Sequence, residues 1–341
     1  MSGEALMVLL VGFAASLAGT AWLRGYALRR RLLDVPNARS SHSVPTPRGG
    51  GAAIVVTTCL GTTALWLAGS TGTVAVLAMA VPGLAVAAVG FLDDRGHVSP
   101  GARLLVHFAS AAWATWWFGG FASIEIASAR IHLGPAGHVL AAIVIVWILN
   151  LFNFMDGIDG IAGSELVFVA AASAWLAGPS SVAWLPLLLL AAAGAGFLAF
   201  NWPPARIFMG DVGSGFIGFA LASLAFVAHA EGTLSIWASV TLMGVFVADA
   251  TVTLLVRLAR GDSVVQAHRT HAYQRLSQRW RGHRPVTLGT WAVDLAWLLP
   301  WAWFIDSRPE YAAPACFAAL LPLVVAAYAV GAGRPNASQP N

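Results

Sequence analysis

Four polar residues stand at regular spacing where a long apolar run of the sequence ends. The stretch NLFNFMDGIDG, residues 150–160, follows VLAAIVIVWI, which has no charge. It carries Asn150, Asn153, Asp156 and Asp159 at every third position, and residues so spaced stay roughly on one side of an α-helix. A carboxylate in hydrocarbon is costly, so these side chains indicate a functional cavity. Their oxygens suit a hard cation such as Mg²⁺. The alternative is a polar helix end solvated by water.

Two further acidic motifs border apolar runs. Asp93 and Asp94 close one run in FLDDRGHVS, and Asp211 in IFMGDVGSG opens another. Adjacent carboxylates repel, so the pair predicts a cation beside it, with a metal-ligand or general-base role; the alternative is a solvated helix end. Asp211 marks a helix N-terminus that could bind phosphate, or it simply caps that helix. Phe208, three residues earlier, is either a packing residue or a stacking surface for a base.

Two basic segments complete the set of candidate residues. The stretch AHRTHAYQR supplies His268, Arg269 and His271. Guanidinium forks match phosphate oxygens, although a basic loop that contacts lipid headgroups would look similar. A zinc site at the two histidines lacks further ligands. The stretch RSSHSVPTPRGGG, residues 39–51, contains Arg48 before three glycines, which alone indicate only a turn or close helix packing.

The composition identifies the kind of chain that must position these residues. Of its 341 residues 58% are hydrophobic and only 10% are charged, whereas soluble domains carry about 25% charged residues. Apolar runs of about 20 residues recur along the chain, each long enough to cross a bilayer as a helix. The two cysteines, Cys59 and Cys316, lie inside such runs and predict neither a disulfide framework nor a cysteine metal site. We therefore expect an all-α integral membrane protein.

Hydropathy and helix-breaking residues predict about eleven transmembrane helices in one polytopic domain, residues 1–341. The first apolar run is long and lacks a basic segment before it, so we expect it to be a retained span and not a signal peptide. The last two spans lie at about 287–331, and a disordered tail is expected at 332–341. The predicted spans are approximately 4–23, 51–69, 73–92, 103–121, 138–155, 162–178, 182–200, 213–230, 235–256, 287–305 and 311–331.

The arginines predict which side of the membrane each loop faces. All nineteen basic residues are arginine, and alternate loops place nearly all of them on one side, with Arg130 and Arg308 on the other. Because basic loops stay in the cytoplasm, we expect the N-terminus outside and the C-terminus inside. Every polar motif above then falls on the cytoplasmic side. The net charge of +4 suits anionic lipids or anionic substrates.

A multi-span transporter is the main alternative, and another lipid-phosphate enzyme, such as a phosphatase, is a second. A transporter should carry ionisable residues near the middle of its spans. Here the acidic residues gather at span ends on one side, with Asp249 and Asp294 as the main exceptions. This distribution favours an enzyme that acts at the membrane surface.

Five motifs in order resemble the polyprenyl-phosphate N-acetylhexosamine-1-phosphate transferase family, also called the MraY/WecA family or glycosyltransferase family 4. The matching strings are RSSHSVPTPRGGG, FLDDRGHVS, NLFNFMDGIDGIAG, IFMGDVGS and HRTHAYQRL, and the resemblance covers residues 33–280. The HAYQ string is similar to O-antigen-initiating members that use UDP-N-acetylfucosamine or UDP-N-acetylquinovosamine. It differs from the triple-histidine loop of the peptidoglycan enzyme. The identity of the donor sugar therefore stays open.

The resemblance implies a reaction and its partners. Such an enzyme transfers a sugar-1-phosphate from a UDP-N-acetylhexosamine to undecaprenyl phosphate, giving undecaprenyl-diphospho-sugar and UMP, and starts a cell-envelope polysaccharide such as O-antigen. It implies Mg²⁺ as the cofactor, with Mn²⁺ as a substitute. It also implies a location in the bacterial inner membrane, with the active site on the cytoplasmic face. The implied partners are membrane lipids and a second copy of the chain, since homodimers are known in the family, and no nucleic acid.

The resemblance also implies residue roles. Asp211 and Asn153 would lie beside Mg²⁺, and Asp93, of the acidic pair with Asp94, would be the base for the lipid phosphate. Arg103 is the candidate for the basic residue that commonly follows that pair. Whether Asp93 acts as a base or an aspartate becomes a covalent nucleophile stays open. The full catalytic set is Asp93, Asp94, Asp156 and Asp211.

The remaining candidates are expected to contact the substrates. Asp156 and Asp159 belong to the nucleotide site, where Asp159 and Phe208 would meet uracil. His268, Arg269 and His271 would hold the diphosphate or the sugar. The full substrate-binding set is Asn150, Asn153, Asp159, Phe208, His268, Arg269, His271, Arg48 and Arg103.

Overall fold

The computed structural model describes residues 2–36, 44–96, 98–126, 129–263 and 268–335, which form a bundle of α-helices with two short antiparallel hairpins. The helices in chain order are α1 (Gly3–Arg30), α2 (Gly51–Leu67), α3 (Thr73–Arg95), α4 (Pro100–Phe118), α5 (Pro135–Met155), α6 (Ile161–Ala177), α7 (Trp184–Asn201), α8 (Asp211–Ala230), α9 (Ile236–Leu242), α10 (Gly244–Ala259), α11 (Ala272–Arg279), α12 (His283–Ser307) and α13 (Pro309–Val330). The strands are β1 (Leu33–Asp34) with β2 (Thr46–Pro47), and β3 (Ser123–Ile126) with β4 (Ala129–His132). Residues 39–43 of the first basic motif and residues 336–341 of the predicted tail lie outside the described residues.

Helix α8 is the centre of the bundle. In its most apolar 18-residue window 94% of the residues are buried, and it packs against α2, α3, α4 and α5. Two neighbouring backbones come very close: a Cβ on Gly51 would lie 2.4 Å from Gly213 Cα, and one on Gly90 would lie 2.4 Å from the Asp211 carbonyl oxygen. Small residues permit such packing between membrane helices. The ends of α2, α3 and α5 therefore meet at the start of α8.

Each of the eleven predicted spans falls on a described helix or, for 235–256, on the pair α9 and α10, which is bent by 78°. In the part of the chain that the structure describes, seven helices are long and apolar enough to cross a membrane, and eight if the bent pair counts as one span. Helices α2 and α6 are apolar but have 17 residues each. The chain is thus a multi-pass α-helical membrane protein, whereas eleven crossings and the sides of the termini stay predictions.

The first residues of the predicted tail pack against the bundle. Ala332 is buried, and the Gly333 N–H donates to the Thr270 carbonyl at 2.8 Å. The Arg275 guanidinium donates to the Arg334 carbonyl. Residues 331–335 therefore cover the loop that precedes α11.

Asp294, one of the two acidic residues expected within a span, has an acidic neighbour. It lies in a π-helical stretch of α12, Asp294–Leu298, and within the described residues neither its carboxyl oxygens nor those of Glu165 on α6 have a hydrogen-bond partner. Both residues are fully buried. Two buried carboxyl groups at the contact between α6 and α12 would repel each other if both were charged.

Candidate active site

The N-terminus of α8 is capped by a side chain from another helix. Asp94, near the end of α3, accepts hydrogen bonds from the Asp211 and Val212 backbone N–H groups, at 3.0 and 3.1 Å. A carboxylate is favourable at this positive end of a helix dipole. The sequence suggested that these N–H groups bind phosphate or that Asp211 itself caps α8. Instead Asp94 fills the cap position, because α3 packs so closely on α8, and the Asp211 side chain turns to two arginines.

Arg48 is the first of these arginines. Its Nε lies 2.9 Å from Asp94 Oδ1, and its Nη2 lies 3.0 Å from Asp211 Oδ1. The segment before α2 is fixed here because the Gly50 and Gly51 N–H groups donate to the carbonyls of Phe208 and Met209, both at 2.9 Å. Burial lowers the pKa of Arg48, but the carboxylates of Asp94 and Asp211 raise it above its ordinary value. The guanidinium is therefore charged.

Arg103, in the first turns of α4, is the second arginine. Its guanidinium donates to Asp93 Oδ2 and lies 3.3 Å from Asp211 Oδ2. The other Asp93 oxygen accepts from the Val98 N–H at 3.1 Å. Asp93 thus binds both the backbone of the turn between α3 and α4 and the side chain of Arg103. We call Arg48, Asp93, Asp94, Arg103 and Asp211 the acid–arginine cluster.

The cluster carries more negative than positive charge. Three carboxylates face two guanidiniums, and Asp156, just after α5, adds a fourth acidic group. Burial raises the pKa of Asp156 well above its usual range; Arg48 opposes this, and the carboxylates of Asp211, Asp94 and Asp159 add to it. Among the described residues the Asp156 side chain has no hydrogen-bond partner. The site therefore favours a further cation.

The asparagines of α5 separate into two roles. Asn153 Nδ2 donates to the Ser214 hydroxyl at 2.9 Å, next to Asp211 on α8, which leaves its Oδ1 as the oxygen that can face a cation. Asn150 Nδ2 donates to the Val146 carbonyl of its own helix at 2.7 Å. Asn153 therefore belongs to the start of α8, while Asn150 lies one turn deeper.

The predicted Mg²⁺ site can be tested against these side chains. No three His, Cys, Asp or Glu side chains converge as a metal cage within the described ranges. Asp211 and Asn153 nevertheless offer carboxylate and amide oxygens beside a surplus of negative charge. Mg²⁺ is usually held by one or two carboxylates together with substrate phosphates and water. The residues fit an ion that a phosphate substrate completes, and do not fit a closed structural metal site.

Asp159 organises the loop that follows α5. Its Oδ2 accepts from the Ala205 N–H at 3.0 Å and lies 3.2 Å from His283 Nδ1. The neighbouring Gly160 N–H donates to Asn201 Oδ1 at 3.0 Å. The backbone N–H of Phe208 donates a hydrogen bond to the Pro47 carbonyl at 2.8 Å, which fixes the position of this residue. Asp159, on the loop between α5 and α6, thus contacts the α7–α8 loop, which also carries Phe208.

The HAYQ motif is anchored by a carboxylate inside the bundle. Asp249 on α10 accepts from the Ala272 N–H at 2.9 Å and the Tyr273 N–H at 2.8 Å. Its Oδ1 also lies 3.2 Å from His271 Nδ1 and accepts from the Thr253 hydroxyl at 3.0 Å. Asp249 therefore caps α11 and orients His271. We call this group the Asp249 anchor.

Tyr273 links this anchor to α5. Its hydroxyl donates to the Phe154 carbonyl at 3.0 Å, and the His271 ring lies 6.4 Å from the Phe154 ring, centre to centre. Burial, together with Asp249 and Asp156, raises the pKa of Tyr273 well above its usual range, so the phenol keeps its proton. His271 therefore lies beside Phe154, the residue that follows Asn153 on α5.

His268 stacks on His271, with ring centres 5.0 Å apart. Burial, and then the neighbouring His271 and Arg257, lower the pKa of His268 to about 4. Its ring is therefore neutral near pH 7. Because His271 and Tyr273 contact Phe154, the predicted segment 268–271 lies beside the end of α5.

Three contributing residues were not among the sequence candidates: Asp249, Tyr273 and His283. Asp249 carried a signal, because an ionisable residue inside a span usually has a function. Tyr273 lies in the HAYQ motif itself. His283 had no pattern of spacing, and only the folded chain places it against Asp159.

Comparisons with known proteins show which enzymes the chain is similar to. Residues 75–229 match glycosyl transferase family 4. The chain is 28% identical over 298 residues to a probable undecaprenyl-phosphate N-acetylglucosaminyl 1-phosphate transferase of Bacillus subtilis, covering 84% of this chain and 82% of the relative. It is 29% identical over 325 residues to a decaprenyl-phosphate N-acetylglucosaminephosphotransferase of Mycolicibacterium smegmatis, covering 82% and 77%.

A third relative covers a shorter stretch. The chain is 32% identical over 206 residues to the phospho-N-acetylmuramoyl-pentapeptide-transferase of Moorella thermoacetica, covering 59% of this chain and 60% of the relative. These names differ in their sugars, so they do not single out the O-antigen-initiating type. The chain thus carries a glycosyl transferase family 4 domain at residues 75–229, and the relatives to which it is similar are named as polyprenyl-phosphate N-acetylglucosamine-1-phosphate and phospho-N-acetylmuramoyl-pentapeptide transferases.

Proposed function

We propose that this protein transfers an N-acetylhexosamine-1-phosphate group from a UDP-sugar to undecaprenyl phosphate. A phosphate oxygen of the lipid bonds to the phosphorus next to the sugar, the bond from that phosphorus to the bridging oxygen of UMP breaks, and UMP leaves with that oxygen. The products are undecaprenyl-diphospho-sugar and UMP. The relatives named for undecaprenyl- and decaprenyl-phosphate substrates support this reaction.

The observation that carries the proposal is the position of the acid–arginine cluster. It lies where α3 and α5 end and α8 begins, so an apolar bundle carries one concentrated polar site at its end. A lipid phosphate lies at headgroup height, while a UDP-sugar arrives from water. A site at the end of the apolar helices can reach both, on the face that the arginines predict to be cytoplasmic.

Attack of one phosphate on another is opposed by their like charges, and catalysis consists mainly of positioning and charge neutralisation. Arg48 and Arg103 supply fixed positive charge on the two sides of Asp211. Asp94 is a positioning residue, because it caps α8 and binds Arg48. Asp211 and Asn153 would hold Mg²⁺, and the bound ion would neutralise the diphosphate; Mn²⁺ has the same preference for oxygen ligands.

Either of two carboxylates, Asp93 or Asp156, could accept the proton that the lipid phosphate loses. Both oxygens of Asp93 already have partners, the Val98 N–H and Arg103. Asp156 has no such partner among the described residues. Because a phosphate monoester has its second pKa near 6, only the monoanionic fraction of the lipid phosphate must lose a proton. We assign that proton to Asp156 and give Asp93 the role of holding Arg103.

The donor would lie between the cluster and the HAYQ segment. His268, Arg269 and His271 face the diphosphate or sugar, and Asp159 with Phe208 faces the uracil. The HAYQ string supports a UDP-N-acetylfucosamine or UDP-N-acetylquinovosamine donor and a role in starting O-antigen at the bacterial inner membrane. The names of the relatives make UDP-N-acetylglucosamine the other donor to test.

The test is a release assay with the purified protein in lipid nanodiscs. Undecaprenyl phosphate, Mg²⁺ and each of the three UDP-sugars are supplied, and UMP and inorganic phosphate are measured. We expect UMP with at least one donor, dependent on the lipid and abolished by a chelator. Inorganic phosphate without UMP would indicate a phosphatase. No UMP with any UDP-N-acetylhexosamine would end the transferase proposal.

A further inference from the structure

Helix α13 ends in a turn that brings the following residues, 331–335, onto the loop before α11. We call these residues, whose sequence is GAGRP, the GAGRP segment. Gly331 has a left-handed backbone, with a φ of +97°, and the Ala332 N–H donates to the Ala327 carbonyl at 3.0 Å. A left-handed glycine followed by such a bond is a common way for a helix to end. The turn is therefore well defined, and it sets the path of Gly333 and the residues after it.

Gly333 is enclosed between α10 and the loop before α11. Its N–H donates to the Thr270 carbonyl at 2.8 Å. A Cβ at this position would lie 2.7 Å from the Thr253 carbonyl oxygen and 2.7 Å from Val256 Cβ, and the φ of Gly333 is +75°. A side chain would therefore collide with α10 and would also require a backbone conformation that other residues rarely adopt. The GAGRP segment is thus fixed by α10 on one side and by Thr270 on the other.

Two arginines of α11 bind the carbonyl groups around this segment. The Arg275 guanidinium donates to the Arg334 carbonyl and, at 3.3 Å, to the Pro335 carbonyl. Arg279 Nη2 donates to the Val330 carbonyl at 3.4 Å. Guanidiniums are favourable at the negative end of a helix dipole, which here is the end of α13. The end of α13, the GAGRP segment and α11 therefore form one connected unit.

Thr270 links this unit to His268. The Thr270 carbonyl accepts from Gly333, and its hydroxyl is hydrogen-bonded to His268 Nδ1 at 3.0 Å. The His268 ring also stacks on His271, which Asp249 orients. His268 therefore has two supports, one through His271 and one through Thr270. The Asp249 anchor accounts for the first support, and the GAGRP segment lies behind the second.

We propose that the GAGRP segment positions His268 for the sugar donor, through the Thr270 hydroxyl. This inference rests on the proposed function, because it takes His268 to contact the diphosphate or sugar of the donor. A fixed hydroxyl that donates to Nδ1 sets the orientation of the imidazole and leaves the proton on Nε2. A ring held in one orientation before the donor binds lowers the cost of ordering it on binding. Thr270 and Gly333 are thus positioning residues, which act without touching the substrate themselves.

Modification by diethyl pyrocarbonate tests the positioning without requiring catalysis, because the reagent acylates the imidazole nitrogen that carries no proton. The full chain in nanodiscs is treated near pH 7 without substrates, and mass spectrometry gives the rate at His268 relative to the exposed His132. We expect Gly333→Ala and Thr270→Val to raise this relative rate about fivefold, the effect of losing one hydrogen bond. An unchanged relative rate in Thr270→Val would overturn the proposal.

Gly69→Ala is the matched control for Gly333→Ala. Gly69 has the same φ of +75°, but nothing lies within 4 Å of a Cβ built on it. The two variants therefore carry the same backbone strain, and only Gly333→Ala also meets α10. Gly69→Ala should leave the relative rate at His268 unchanged. Equal rates at His268 in Gly69→Ala and Gly333→Ala would show that the GAGRP segment does not act on His268.

Steady-state kinetics of Thr270→Val and Thr270→Ser separate positioning from a purely structural role. Valine has a shape close to that of threonine without the hydroxyl, whereas serine keeps the hydroxyl. We expect Thr270→Val to raise the KM for the UDP-sugar about fivefold with the KM for the lipid unchanged, and Thr270→Ser to stay near the unmodified protein. Equal losses in both variants, or a rise in both KM values, would leave only a structural role and contradict the proposal.

The failure of this inference differs from the failure of the transferase proposal. If the unmodified protein releases UMP and Thr270→Val leaves the KM for the UDP-sugar unchanged, the positioning inference fails alone. If no donor yields UMP while Gly333→Ala and Thr270→Val both raise the reactivity of His268, the segment still positions His268 and only the transferase proposal fails.

Discussion

The acid–arginine cluster and the Asp249 anchor use the same side chain in two different ways. In the anchor, one carboxylate receives two backbone N–H groups, a hydroxyl and an imidazole, all within the bundle. In the cluster, three carboxylates share two guanidiniums, and Asp156 nearby has no hydrogen bond among the described residues. The anchor is complete without a ligand, while the cluster is left with a surplus of negative charge.

This difference separates residues that position from residues that react. A buried carboxylate whose oxygens are all satisfied stabilises one local conformation, here the start of α11. A group of acids with fewer guanidiniums than carboxylates favours a further cation or a proton. Substitutions in the cluster should therefore affect the rate of transfer far more than stability, and substitutions in the anchor should affect both.

The largest effect is expected from Asp211→Asn. The change keeps the size of the side chain and removes the charge that faces Arg48, Arg103 and the proposed cation. We expect UMP release to fall on the order of 10³-fold with little change in thermal stability. Asp262→Asn is the matched control, because the Asp262 side chain is 37% exposed and its ion pair is with Arg260 at 3.4 Å. Full activity of Asp211→Asn would remove Asp211 from the site.

Arg103→Lys should have the next largest effect. A lysine keeps the charge but cannot bridge Asp93 and Asp211 as a planar fork does. We expect kcat to fall about 10²-fold, with the KM for the UDP-sugar much less affected. Steady-state kinetics beside Arg260→Lys as control would measure this. If both variants behaved alike, Arg103 would be only a surface charge.

Asp249→Asn should lower activity about tenfold and also lower thermal stability, because it disturbs a residue that only positions others. An amide cannot accept from the same set of donors, so the Ala272 and Tyr273 amides should exchange hydrogen faster. Asp306→Asn is the comparison, since Asp306 accepts a hydrogen bond from the Ser235 N–H on a different part of the bundle. A loss as large as that of Asp211→Asn, without faster exchange, would place Asp249 among the reacting groups.

The smallest effect concerns pH. Burial and the neighbouring His271 lower the pKa of His268 to about 4, from an ordinary value of 6.5. Between these values the unfolded chain binds more protons than the folded chain, so the contribution of His268 to stability is present above pH 6.5 and is lost as the pH falls toward 4. His268→Gln should flatten the fall of Tm over this range. His132→Gln, at an exposed position, should leave it unchanged.

Much of the fold could be predicted from hydropathy, because each membrane helix is an uninterrupted apolar run. The gathering of Asp93, Asp94 and Asp211 could also be predicted, since motifs assigned to one membrane face can meet there. The hydrogen-bond partners of the acidic residues could not be predicted from the sequence. Asp94 caps α8 because Gly90 lets α3 touch it, and that contact is a property of packed helices. The same holds for Asp249 with Tyr273 and for Asp159 with His283, whose sequence separations are 24 and 124 residues.

The central claim is that the acid–arginine cluster holds a divalent cation against the diphosphate of the donor. Electron–nuclear double resonance on the protein with Mn²⁺ and the UDP-sugar that it turns over reports this contact directly, through coupling of Mn²⁺ to phosphorus. The account predicts a phosphorus coupling in the unmodified protein and in Asp262→Asn, and its loss in Asp211→Asn. An unchanged coupling in Asp211→Asn would contradict it.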